Sequence, residues 1–333
     1  MKELPFQEKM IKIIRKQVPE DLSLSVEVGK ILGVSADSAY RRLRCETAFT
    51  IDEMAKVCLH FLIPLETLSD FTGQIVSFKY KSIGGRLEDF KAFLTHFQNQ
   101  ITTISKFEKR EVIYAAEDIP LFHIYALPVL SKFKFYYWRK AILNHEELAD
   151  VKFNRNVEDD DELNELAKAA SVAYAIVPSA EIWTEETIAS TIQQIKFFWD
   201  AALFETQEDA EVVIKDLEDL VRNLQRQCDL GLKFLPGGEL TKTPFTCFAS
   251  DLMIGNNCVL VKTGDIRTTF LGYNTFNFMN TNNPDFNKQH EVWMNNLISK
   301  STQISRTSEK IRNLFFKALL KKVADLRKYV EEN

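Results

Sequence analysis

The chain has 333 residues, 45% hydrophobic and 27% charged, with a net charge of −5. That length admits two domains and a sizeable core. The charge balance excludes a protein that grips polyanions with its whole surface, while leaving room for a local basic face. Cys45, Cys58, Cys228, Cys247 and Cys258 show no C-x-x-C spacing and are odd in number, for which a reduced, cytoplasmic chain is the simplest reading. No signal-peptide pattern and no run of about 20 apolar residues is present, so no membrane partner is expected.

Phe6, Met10, Ile13, Ile14 and Val18 recur at helical spacing, and Pro19 marks the stop. Lys9, Lys12 and Lys16 share the opposite face. A helix over 25–32, a turn at Gly33-Val34-Ser35 and a helix over 36–44 follow, with Ser35 as N-cap. Gly29 allows the two helices to approach closely, and Gly33 accepts unusual turn angles. Val28, Leu32, Val34, Ala39 and Leu43 can form a small core, leaving Asp37, Ser38, Tyr40, Arg41 and Arg44 mainly outward. Thr50 and Glu53 fit a capping box for the next helix, and Pro64 opens a last short turn. This module is all-helical, with about five helices.

From Gly33 to Arg44 the chain reads Gly-Val-Ser-Ala-Asp-Ser-Ala-Tyr-Arg-Arg-Leu-Arg. Residues 6–70 resemble the Cro/repressor-like (XRE-type) helix-turn-helix regulators. The resemblance implies that the helix over 36–44 enters the major groove of double-stranded DNA. Arginine can neutralise phosphate or grip guanine through two hydrogen bonds, and Ser and Tyr can donate to phosphate. The residues expected at DNA are Ser35, Asp37, Ser38, Tyr40, Arg41, Arg42 and Arg44, with Lys9, Lys12 and Lys16 on phosphate.

Beyond this module, 74–83 suits a strand, and Gly84-Gly85 marks a boundary. The expected division is 1–72 for DNA binding, 73–85 as linker or first strand, and 86–333 as an effector and dimerisation domain. Leu87, Phe90, Leu94, Phe97, Ile101 and Ile104 form a heptad-like seam that can pair with a second copy or pack on its own core. A strand is expected over 111–114, helix after Pro128, and an acidic run, Glu158 to Glu162, before a further helix. Thr184 and Thr206 look like caps of two more helices. Stretches 245–254, 258–262 and 268–280 read as a three-stranded antiparallel meander. Its Phe245, Phe248, Phe270, Tyr273, Phe276 and Phe278 could enclose a pocket for a small-molecule effector. Helices over 284–299 and 308–330 close the chain, the second amphipathic with Ile311, Leu314, Phe315, Ala318, Leu319, Val323, Leu326 and Val330 on a broad apolar face.

No motif of a catalyst, metal site or cofactor cradle occurs. His145-Glu146-Glu147 lacks the second histidine of a zinc helix, and Pro236-Gly237-Gly238 lacks the lysine of a phosphate loop. The expected class is mainly α, a helix-turn-helix bundle followed by a helix-rich α+β part with a small antiparallel sheet. The expected function is a cytoplasmic, homodimeric transcriptional regulator without cofactor or catalytic activity. A protein-interaction module that keeps the helix-turn-helix without reading DNA is the alternative.

Overall fold

The computed structural model describes residues 6–17, 23–61, 63, 68, 75–156 and 161–333. The predictions for Val18, Pro19, Pro64, Gln74 and Glu158 to Asp160 lie outside the described residues. The chain divides into two compact units, Met1–Ser77 and Phe78–Asn333.

In the first unit, α1 (Phe6–Gln17), α2 (Leu24–Leu32), α3 (Ala36–Leu43) and α4 (Ile51–His60) surround one apolar cluster. Met10, Ile14, Val28, Ala39, Leu43 and Val57 form its buried centre. The spacing of these residues places one apolar stripe per helix against the others, which is why so short a segment can bury a core.

The second unit is built on a sheet whose strands are β1 (Lys79–Tyr80), β2 (Arg110–Ala116), β3 (Ser179–Trp183), β4 (Leu232–Phe234), β5 (Leu240–Ala249), β6 (Cys258–Thr263), β7 (Ile266–Tyr273), β8 (Asn277–Thr281) and β9 (Thr302–Gln303). Their order is β1-β8-β7-β6-β2-β3-β5-β4, with β9 also pairing β5. Three central strands, β2, β3 and β5, run parallel, while β6, β7 and β8 form an antiparallel meander beside them. Strand alternation sends Val112, Tyr114 and Ala116 to one face and Ile113 and Ala115 to the other.

The first face carries most of the core, built with α5 (Leu87–Ser105), α6 (Leu121–Ile124), α7 (Pro128–Tyr137), α8 (Asp161–Ala175), α9 (Ala189–Asp200), α10 (Gln207–Leu230) and α12 (Glu309–Glu332). The second face packs Met294 and Leu297 of α11 (Pro284–Ser299) against Ile113, Ile182 and Leu260.

This architecture corrects the expected fold class. The unit is a mixed α/β layer structure around a sheet of nine strands among the described residues, not a helix-rich part with a small antiparallel one. β5, read as the first strand of the meander, does not pair with β6; β2 and β3 lie between them. The sequence shows no strand signal over Ser179–Trp183, because Ser, Ala and Glu are weak strand formers. Burial in a central parallel position overrides that preference. The six aromatics expected to line one pocket also divide. Phe245 and Phe276 are buried in the main core, Phe248 packs on the α11 face, and Tyr273 is exposed. The Leu87–Ile104 seam is spent inside the unit: Phe90, Leu94 and Ile101 are buried, and Leu87, Phe97 and Ile104 pack against the same cluster.

Thr206 does cap α10, in a capping box with Asp209, and Gly231 ends that helix at φ 65°. Thr184 instead shapes a turn with Thr187, and α9 begins five residues later, at Ala189. Ile311 and Leu314, placed by periodicity on the apolar face of α12, are exposed. Among the described residues, no helix is long and apolar enough to cross a membrane, and no group of three His, Cys, Asp or Glu could hold a metal ion.

The unusual core element is Glu181 on β3, fully buried between Tyr114 of β2 and Cys247 of β5. Its carboxylate lies 2.9 Å from His123 Nε2 and accepts from the Tyr174 hydroxyl at 2.6 Å and the Trp183 indole N–H at 2.9 Å. Burial alone would raise its pKa. The His123 imidazole, the Lys233 ammonium and the Tyr174 hydroxyl outweigh that and bring it down to about 2. Its unfolded value is 4.5, so the folded carboxyl protonates at lower pH than the unfolded one. The stability it contributes is therefore complete above pH 4.5 and fades as pH falls toward 2. Glu181→Gln should cost about 3–5 kcal/mol at neutral pH, because it leaves the facing basic groups uncompensated. In chemical denaturation followed across pH, that deficit should shrink below pH 4.5; a deficit that grows there would contradict the ionised state of Glu181.

Candidate nucleic-acid interface

The first unit contains two helices joined by the sharp turn its glycines allow. Gly33 ends α2 in the left-handed region at φ 68°, and the Val34 N–H returns to the Gly29 carbonyl at 3.0 Å. A Cβ added at Gly29 would stand 3.0 Å from the Val34 carbonyl oxygen and 3.5 Å from the Ala36 nitrogen. The start of α3 thus lies directly on α2, and only a residue without a side chain fits without displacement. Ser35 then caps α3, its hydroxyl accepting from the Ser38 N–H at 3.2 Å. Asp37 in the first turn suits the positive end of the helix dipole.

With Ala39 and Leu43 turned into the core, α3 presents a polar outer face. Ser35, Asp37, Tyr40, Arg41 and Arg44 are exposed, and Ser38 is half-buried. Arg44 stacks near Tyr40, with its guanidinium 5.8 Å from the ring centre, and reaches Glu46 at 3.0 Å. Among the described residues Arg41 has no ion-pair partner, so its charge is available to a ligand.

Arg42 is placed differently. Its side chain is only 15% exposed and grips Glu53 of α4 with two hydrogen bonds, 2.9 and 3.1 Å, while a third N–H donates to the Ser38 carbonyl. The Arg42 guanidinium, with the Thr50 N–H, holds the Glu53 carboxyl below its usual range. Glu53 also closes the capping box that starts α4. This arginine therefore ties the outer helix to the helix behind it and is not turned outward with Arg41.

Helix α1 supplies a second brace. The Gln7 amide donates to the carbonyls of Arg42 at 2.8 Å and Thr47 at 2.9 Å, and its oxygen accepts from the Phe49 N–H. Arg15 Nη2 donates to the Leu43 carbonyl at the end of α3. Sequence periodicity selected Lys9, Lys12 and Lys16 on this helix. Lys12 is exposed, Lys9 is half-buried, and the Lys16 side chain lies outside the described residues. Arg15, which the lysine pattern passed over, reaches from α1 to the end of α3. Its approach depends on the crossing of two helices and has no local signature.

The arrangement can place one short helix against a surface while two other helices keep it rigid. The outer face offers two guanidinium groups, one phenol, two hydroxyls and one carboxylate, a set able to contact phosphates and base edges.

Arg42→Met should cost the first unit about 1.5–3 kcal/mol, the range for a charged hydrogen-bonded pair, and speed amide exchange in α3 and α4. Arg44→Met should stay within about 0.5 kcal/mol of the parent. Equal protection in the two variants would remove the bracing role of Arg42. No protein-family model, curated protein or solved structure matches this chain, so the interface stands on the placement of its own residues.

Proposed function

We propose that this protein is a DNA-binding transcriptional regulator of the cytoplasm, acting as a homodimer, with α3 entering the major groove. The observation that carries the reading is the contact of Gly29 with the Val34–Ala36 backbone. It sets α3 on α2 while Asp37, Tyr40, Arg41 and Arg44 face outward. Arg41 contacts phosphate or a guanine edge, Tyr40 and Ser35 donate to phosphate, and Asp37 can accept from a cytosine amino group. Two copies related by a twofold axis cover two half-sites, which one module cannot do. The dimer surface lies elsewhere than the Leu87–Ile104 seam, whose apolar residues are already packed.

A second reading has one observation in its favour. Ile51 and Leu59 of α4 are 86% and 75% exposed, an apolar pair suited to protein contact. In that reading the first unit docks onto another protein and its arginines serve solubility.

Fluorescence anisotropy of the DNA upstream of the coding region separates the two. A regulator binds that duplex in preference to a shuffled one, and more weakly as salt rises. Arg41→Ala should weaken binding about tenfold and lower the salt slope by about one. Ile51→Ser should leave DNA affinity unchanged. If the two duplexes bind alike and Arg41→Ala changes nothing, α3 does not read DNA.

A further inference from the structure

The second unit contains a cleft of about 1130 Å³ that the sequence did not signal. It opens between α8, α10 and the turn after β4, and residues from α6 and β4 complete its wall. Its lining combines apolar surface, including Phe122, Leu127 and Phe234, with polar groups whose hydrogen-bonding capacity is not used.

Three side chains show this. Lys233 is fully buried on the cleft wall. Its ammonium has three donors, yet the described residues supply one acceptor oxygen, the Tyr174 carbonyl at 3.0 Å. The face of the Tyr174 ring lies 3.3 Å from the same nitrogen. The nearby Glu181 carboxylate is already engaged by His123, Tyr174 and Trp183. Tyr125 is fully buried and its hydroxyl has no partner; Asn164 carries a shielded, unpartnered carbonyl oxygen. Both residues line the cleft. A shielded polar atom without a partner is costly to keep, and two residues that carry one line the same cavity as the under-used Lys233.

Five cations, Lys132, Lys168, Arg222, Arg226 and Lys233, line the cleft against three carboxylates, Asp161, Glu165 and Asp219. Lys132 is answered by Asp161, and Arg222 by Glu218. Lys168 and Arg226 have no ion-pair partner among the described residues; Arg226 lies over the Phe234 ring, 4.9 Å from its centre. An entering anion thus meets cations at the rim and another on the wall. Burial has brought the Lys233 ammonium down to about 7, against the pull of Glu181, and an adjacent negative charge would restore it.

We propose that this cleft binds a small amphipathic organic anion, with its carboxylate or phosphate at Lys233, a donor group at Asn164, and its apolar body against Phe122 and Phe234. The Tyr125 hydroxyl supplies a further donor to the anion. This proposal is independent of DNA binding.

The test is calorimetric titration of the full chain with 4-hydroxybenzoate, 4-hydroxyphenyl phosphate and neutral 4-hydroxybenzamide. At least one anion should bind, and the amide should bind at least about tenfold more weakly. A carboxylate-only response assigns the acid group as carboxylate, and a phosphate-only response assigns it as phosphate. Arg226→Gln, at an exposed position, should weaken the anion several-fold. Tyr125→Phe should weaken it as well, while raising the ligand-free melting temperature by about 2–4 °C through loss of an unpartnered hydroxyl. Failure of both anions to bind, equal binding of the amide, or unchanged affinity in both variants would overturn the proposal.

Discussion

An ionised carboxylate in the middle of a parallel sheet is the constraint that organises the larger unit. Glu181 cannot reach water, so its lone pairs must be met from within the fold. The donors come from three places: His123 in α6, Tyr174 near the end of α8, and Trp183 on the same strand. Each bond fixes an element relative to β3. The chain leaves β2, passes through α6 and α8, and returns to lie parallel at β3, so one side chain ties together the start, the end and the product of that crossover. Lys233, on the strand that follows α10, extends the same cluster to the next crossover.

The smaller unit solves a different problem with the same chemistry. A three-helix core of this size leaves little apolar area to hold a short outer helix in place. Helix α3 has eight residues and is marginal by itself. It is held by a glycine contact on one side, by Arg42 on Glu53 behind it, and by Gln7 at its end. These braces use Arg42 and leave Arg41 exposed without an ion pair among the described residues, so adjacent arginines in the sequence are placed differently.

The two units also differ in how they meet their polar groups. In the first, neighbouring polar groups satisfy one another, as the Thr50–Glu53 capping box and its Arg42 partner show. In the second, the Glu181 cluster is closed, but the cleft beside it keeps a lysine, a phenol and an amide oxygen incompletely met. Their persistence around one cavity is the physical basis for assigning it a ligand.

The sequence alone was enough for several features set by neighbours a few residues apart, though not for the Thr184 turn. The Gly33 turn, the Ser35 cap, the Thr50–Glu53 capping box, the Thr206 cap and the closing helices depend on local backbone geometry, which residue type reveals directly. The outward face of α3 was legible for the same reason, since helical period decides which residues share a side. Tertiary structure decided the rest. That Arg42 turns to Glu53, that Arg15 reaches α3, and that the Leu87–Ile104 seam faces its own core depend on elements distant in sequence. The sheet class depended on which strand lies beside β5, and a parallel neighbour arrives through a long crossover that leaves no periodic trace. Glu181 reads as a surface residue until its three donors converge on it. The cleft is likewise invisible in one dimension, because its walls come from helices and strands that only packing brings together.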